Sequence, residues 1–301
     1  MMDTGFLKGI IPPILTPIDA EERIDEAKLR DQVEFVITGG VHGILASGSN
    51  SEFYMLDQEE SKRGLKIILD QAAGRVPVFY GVGAIKTRAC IALAEMAVEC
   101  GAAAVSVLQP MFITPKANEL AAHFGAIAKA ISGTPMLLYN NPGRVGYTIT
   151  AALVADLAGE HENIVGVKDT SGDMTLTAEM IRLTRGSNFK VMGGKDTLLY
   201  ATLVHGGAGG VVTMANLFPE LVCSIYEKYV QGDIAGALEA QYRMNPVRLS
   251  MDAATFPVAA KDMARLIGRD MGEPFKPTLA SSGDVLEKMR QEIIKAGLMP
   301  Q

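Results

Sequence analysis

Apolar residues gather in eight short runs along the first two thirds of the chain, at 10–17, 41–49, 76–83, 103–110, 135–142, 164–171, 189–196 and 209–216. Each run has the length and composition of a strand and ends in Gly, Pro, Asn, Asp or Ser. The runs start roughly 20 to 35 residues apart, and amphipathic stretches with helical spacing fill the gaps. Most runs lack alternation between apolar and polar positions, which marks strands covered on both faces. Strand and helix in alternation imply a parallel sheet. Eight such units fit a (β/α)8 TIM barrel better than an open doubly wound sheet. After Asn216 no further strand run occurs, and helical patterns follow near 218–231, 233–247, 255–268 and 283–296. The expected organisation is therefore a barrel over 1–217 and a C-terminal helical extension over 218–301.

Local signals support the strand-to-helix turns. Asp57-Gln-Glu-Glu60 matches a capping box, Thr114-Pro115 places a hydroxyl before a proline at a helix start, and Thr150 precedes an apolar helix. These predict loops at 49–57, 110–116 and 142–150.

Composition narrows the function classes. Of 301 residues, 48% are apolar and 21% charged, enough for a large core, and the formal net charge is −6. That balance argues against nucleic acid or an anionic membrane surface as partner. Cys90, Cys100 and Cys223 are odd in number and widely spaced, without a disulfide or zinc pattern. Pro12, Pro13 and Pro17 interrupt the apolar N-terminal stretch, so no secretory signal is expected. The uncharged span 197–219 is divided by His205 and the glycines at 206–210, so no membrane helix is expected either. A cytoplasmic protein fits these features.

The chemistry of a barrel sits at the C-terminal ends of its strands. Those ends offer Ser49, Asn50, Tyr139, Arg144, Lys168 and Lys195. A free lysine is neutral to only about one part in 2500 at pH 7, and desolvation can lower such a pKa by about three units. An amine at the end of a strand covered on both faces thus becomes a nucleophile for carbonyl carbon. Lys168 has that setting. Lys195, flanked by glycines and Asp196, looks wetter and able to pair with the neighbouring carboxylate. Tyr139 is equally well read as a core tyrosine or an acid–base group, Ser49 and Asn50 as a helix start, and Arg144 as a solvated charge or an anion clamp. Glu52 is expected to favour a helix N-terminus. Gly81-Val-Gly83 lacks the third glycine of a dinucleotide fingerprint, and the glycines at 206–210 more often serve close packing than phosphate binding. The four histidines have no metal-ligand spacing, so no metal site is expected.

Gly48-Ser-Asn-Ser-Glu52, Tyr139-Asn-Asn-Pro-Gly-Arg-Val-Gly146 and Gly166-Val-Lys168-Asp, in this order, resemble the dihydrodipicolinate synthase / N-acetylneuraminate lyase family of pyruvate-dependent class I aldolases. The resemblance spans essentially the whole chain. It implies a Schiff base between Lys168 and pyruvate, with no metal or dissociable cofactor, and Tyr139 as proton shuttle. It further implies that Ser49 and the backbone amides of Ser49 and Asn50 hold the pyruvate carboxylate, that Val211 lines the pyruvate pocket, and that the enzyme is a homotetramer of tight dimers. Arg144 matches the arginine placed near the carboxylate of an incoming aldehyde such as aspartate semialdehyde. Two positions depart from the family pattern. Phe112 stands where synthases carry a tyrosine contributed across the dimer interface, and Ser51 replaces a glycine. The wording Gly-Ser-Asn-x-Glu-Phe leans toward 4-hydroxy-2-oxoglutarate or 2-keto-3-deoxy sugar acid aldolases of the same family. A non-catalytic keto-acid binding protein is the alternative of another class.

Overall fold

The structure is a computed structural model and describes residues 2–299. The outermost residues of both expected segments, 1 and 300–301, lie outside the described residues. Eight parallel strands form one sheet: β1 (Gly9–Ile10), β2 (Ile44–Ala46), β3 (Val78–Val82), β4 (Ala104–Leu108), β5 (Met136–Asn140), β6 (Ile164–Asp169), β7 (Lys190–Gly193) and β8 (Gly209–Gly210). Their order is β1-β8-β7-β6-β5-β4-β3-β2. A parallel bridge between Pro13 and Leu45 closes the ring, with Leu45 N donating to Pro12 O at 2.9 Å. This is a (β/α)8 barrel.

The helices are α1 (Glu26–Thr38), α2 (Gln58–Ala72), α3 (Thr87–Cys100), α4 (Ala117–Ala130), α5 (Pro142–Val145), α6 (Ala151–Glu160), α7 (Met174–Leu183), α8 (Leu199–Val204), α9 (Pro219–Val230), α10 (Ile234–Ser250), α11 (Val258–Leu266) and α12 (Gly283–Lys295). The last four follow the eighth strand as a C-terminal set. The uncharged span divides as its glycines demand, into α8 and β8, and no described helix is long and apolar enough to cross a membrane.

Two layers of apolar side chains hold the barrel. Inside the ring pack Leu7, Ile11, Leu45, Phe79, Ala104, Leu137, Val165, Met192 and Val211, a filled core rather than a pore. Outside it a larger cluster joins the outer strand faces to the helices. The end strands are short because Pro12 and Pro13 have no N–H to donate. Close backbone approach also needs glycine: a Cβ on Gly209 (φ +150°) would lie 2.0 Å from Gly9 O. The glycine cluster before β8 therefore serves packing.

Two cap expectations hold and one does not. Asp57 and Thr150 accept from Glu60 N and Leu153 N, respectively. The Glu60 carboxylate does not close the expected box, because it accepts from Ile24 N at 2.7 Å and pairs with Arg63 instead. Thr114 is not a cap: α4 starts later, with Lys116 at the cap position, whose N–H donates to the Glu119 carboxylate at 2.7 Å. Helix α10 runs beyond its expected end, passing through Pro246.

Candidate active site

Tyr139 and Lys168 end neighbouring strands and pair in register. Both are buried, at 6% and 3% exposure, and Lys168 Nζ lies 4.1 Å from the centroid of the Tyr139 ring. The amine that the apolar run 164–167 carries to the strand end is thus withdrawn from water and set over an aromatic face. Lys195, its rival in the sequence, is half-buried beyond β7 and belongs to the outer part of the mouth.

The Tyr139 hydroxyl is heavily engaged. Asn141 Nδ2 donates to it at 2.9 Å, and the Ser49 hydroxyl lies close enough to lower its pKa. The Thr170 hydroxyl has no partner at ordinary hydrogen-bonding geometry, yet it faces the phenol closely enough to act on it. Burial alone would push this phenol up. The Lys168 charge and the hydroxyls of Ser49 and Thr170 outweigh burial and hold it below the usual tyrosine range. A phenol tuned downward beside a buried amine can take and return a proton during carbonyl addition.

The two strand ends are fixed by their own polar neighbours. Asn140 Nδ2 donates to Asp169 Oδ1 at 2.8 Å, and Asn140 Oδ1 accepts from Ile149 N at 3.0 Å. Asp169 further accepts from the Ser171 and Thr177 hydroxyls, at 2.9 and 2.5 Å. Gln109 accepts from Asn141 N and donates to Tyr147 O. The consecutive asparagines at the end of β5 were visible in the sequence, but their partners Asp169 and Gln109 lie about 30 residues away in the chain, and only the fold joins them.

Ser49 and Asn50 open a single 3-10 turn, Ser49–Ser51, and are buried. Ser51 meets no conflict where the family has glycine, since its hydroxyl donates to Ile14 O at 2.8 Å. Asn50 Nδ2 donates to Thr213 Oγ1 at 2.8 Å, while Asn50 Oδ1 is buried without a partner. Glu52 differs from expectation. It takes a left-handed conformation (φ +54°), is 2% exposed, and pairs with the equally buried Lys261 at 2.7 Å. Its second oxygen accepts from Phe275 N. It ties the Ser49 turn to the C-terminal segment and does not serve a helix dipole. Burial depresses the Lys261 amine, although the Glu52 charge opposes this.

Val211 stands just past β8 in the inner apolar cluster. Arg144 lies on α5, exposed, with its guanidinium carbon 4.2 Å from the Phe256 ring centroid. Phe112 is not part of the mouth of its own chain: at φ +70° it is 95% exposed. Asp196 does not pair with Lys195 as expected. It is buried, accepts from Met214 N at 2.6 Å and meets Arg248 at 3.4 Å.

Two cavities open here. A narrow one is lined by Ser49, Ser106, Leu108 and Tyr139, among others. A wider one, of about 250 Å³, is bounded by Asn50, Arg144, Lys195, Thr213 and the stretch from Arg248 to Ala260. Lys168 lines neither and lies against Tyr139. Among the described residues no three His, Cys, Asp or Glu side chains come together as a metal site. The cysteines are free, and burial pushes the Cys90 and Cys223 thiols up to about 11 and about 12.

Residues 6–296 match the model of the dihydrodipicolinate synthetase family. A 4-hydroxy-tetrahydrodipicolinate synthase from Methanopyrus kandleri is 34% identical over 299 residues, covering 99% of each chain. A crystal structure of dihydrodipicolinate synthase superposes with a TM-score of 0.92 at 30% identity, covering 97% of this chain and 99% of that one. A prophage protein of the dihydrodipicolinic acid synthase family from E. coli K12, solved in complex with pyruvate, gives 0.92 at 28% identity with the same coverage. With the barrel, the buried lysine and the paired tyrosine in place, this chain belongs to the dihydrodipicolinate synthetase family and is an enzyme of its aldolase/synthase, or lyase, class.

Proposed function

We propose that the enzyme joins pyruvate to a carboxylate-bearing aldehyde, or cleaves the product, through a Schiff base on Lys168. The observation that carries this reading is Lys168 Nζ, 3% exposed and 4.1 Å from the centre of the Tyr139 ring. The amine adds to the keto carbon of pyruvate, and water leaves to give a protonated imine. Its positive charge draws electrons from the methyl group, which loses a proton to form an enamine. The enamine carbon attacks the aldehyde, forming the new carbon–carbon bond, and the aldehyde oxygen takes up a proton. Water then releases the product from the lysine. Tyr139 carries protons at the keto oxygen and at the aldol hydroxyl. Ser49 and the backbone amides of Ser49 and Asn50 hold the pyruvate carboxylate, Val211 covers the methyl group, and Arg144 takes the acceptor's carboxylate.

Relatives named 4-hydroxy-tetrahydrodipicolinate synthase support aspartate semialdehyde as the acceptor. Phe112 supports a second reading, a 4-hydroxy-2-oxo acid aldolase, because a phenyl ring has no hydroxyl to relay a proton. Free thiols at all three cysteines agree with a reducing cytoplasm. The exposed apolar side chains Tyr54, Met55, Ile85, Phe112 and Ile113, on loops after β2, β3 and β4, agree with a face covered in a tetramer of dimers.

Borohydride with pyruvate is expected to leave a stable adduct on the wild type and none on Lys168→Ala, located by peptide mass spectrometry. An adduct on Lys195 would refute the assignment.

A further inference from the structure

The wider cavity carries more positive charge than one carboxylate requires. Three cations line it: Arg144, Lys195 and Arg248. Arg248 is balanced, since it meets Asp196 at 3.4 Å and Asp252 at 2.7 Å. Burial works against the Arg248 charge, yet these two carboxylates keep its pKa raised. Arg144 and Lys195 are not balanced. Arg144 stacks on Phe256, which leaves the edge of its guanidinium fork open, and among the described residues neither cation has a carboxylate within 4 Å. The Lys195 side chain passes over Gly172 (φ +77°), where even a Cβ would come within 3.4 Å of its Cε. That contact lays the Lys195 side chain against the β6 loop.

The two open cations enter from different sides. Arg144 follows β5 and Lys195 follows β7, with β6 between them. Their backbones are thus separated by two strand spacings, roughly 10 Å. Side chains rooted that far apart suit two anionic groups on one molecule. One wall of the cavity is Phe256 with neighbouring apolar residues, so charges inside it interact more strongly than in water.

We propose that the acceptor subsite is built for a substrate with two anionic groups, a carboxylate at Arg144 and a second carboxylate or a phosphate at Lys195. This rests on the reading of Lys168 as the imine-forming residue and selects among its acceptors. An acceptor with an ammonium group in the place of the second anion, aspartate semialdehyde included, meets repulsion from Lys195, which favours the second of the two acceptor readings above. The aldol step itself is unchanged: the same carbon–carbon bond forms and the same proton reaches the new hydroxyl.

Binding of unreactive probes separates this proposal from the imine reading. Butyrate, succinate, 3-phosphonopropionate and 4-aminobutyrate are titrated calorimetrically into the enzyme, with and without pyruvate. Succinate and the phosphonate are expected to bind about tenfold more tightly than butyrate, as one additional charge-assisted hydrogen bond supplies, and 4-aminobutyrate more weakly. Whichever dianion binds better identifies the source of the second charge. Lys195→Gln should abolish the advantage of the dianions and leave butyrate binding as it was, while Lys195→Arg should retain most of it. Equal binding of butyrate and both dianions would overturn the proposal. So would equal weakening of butyrate and succinate in Lys195→Gln, which would mean that Lys195 and Arg144 share a single carboxylate. Borohydride trapping with pyruvate is scored separately, so failure of the imine reading and failure of the two-anion subsite are told apart.

Discussion

Tyr139 lies between opposing effects, and their balance can be measured. Burial disfavours its phenolate, while the Lys168 charge and the surrounding hydroxyls favour it more strongly. Lys168→Met keeps the burial and removes the cation, so the Tyr139 pKa should rise; ultraviolet titration of the phenol in wild type and variant checks the direction. The linkage has a definite sign. A folded-state pKa below the unfolded value stabilises the fold fully above the ordinary tyrosine value of about 10, and this contribution disappears as pH falls through the lower folded-state value. Tyr139→Phe should lower turnover by about 10²- to 10⁴-fold, the usual contribution of a positioned acid–base group. Borohydride trapping should still detect an adduct in that variant; unaltered turnover would remove the shuttle role. At this scale the sequence was informative about Lys168, because four apolar or glycine residues leading to an amine imply a buried strand end. It was silent about what holds the phenol, since Asn141, Ser49 and Thr170 converge only once three different strand ends are brought together.

Between elements, the most consequential contact is the ion pair from Glu52, behind the Ser49 turn, to Lys261 on α11. Both groups are 2% exposed, so removing one strands the other without water. Loss of one partner of a buried pair costs about 3–5 kcal/mol. Glu52→Ala and Lys261→Ala should each lose stability on that scale in denaturant unfolding, and a loss below about 1 kcal/mol would show that the survivor finds a new partner or water. The pair Glu52→Gln with Lys261→Met should recover much of the loss, because it leaves no charge buried. Sequence pattern led to a helix-dipole role for Glu52, since a carboxylate near a predicted helix start has that meaning locally. Its actual partner lies 209 positions further on (261 − 52). The same locality explains Thr114: a hydroxyl before proline resembles a cap, but Glu119 supplies the acceptor and the helix begins afterwards.

Across the whole molecule, the loops after β2, β3 and β4 leave an apolar surface, with Phe112 95% exposed and Tyr54 48% exposed. We read this uncovered apolar surface as a candidate place for a second chain. Phe112→Asp should shift the protein toward smaller species in sedimentation velocity; an unchanged mass would place any subunit contact elsewhere. The alternation of eight apolar runs with amphipathic stretches determined the barrel, because strands covered on both faces by right-handed crossovers have few other arrangements. It also determined which residues stand at strand ends, and with them Lys168, Tyr139 and Ser49. Periodicity could not determine the partners of those ends. The balancing of Arg248 by Asp196, the open charges of Arg144 and Lys195, and the buried Glu52–Lys261 pair all depend on how the C-terminal helices close over the mouth. Hydrophobic spacing is a local property of the chain, whereas charge compensation joins residues far apart in it, and only the tertiary structure brings those together.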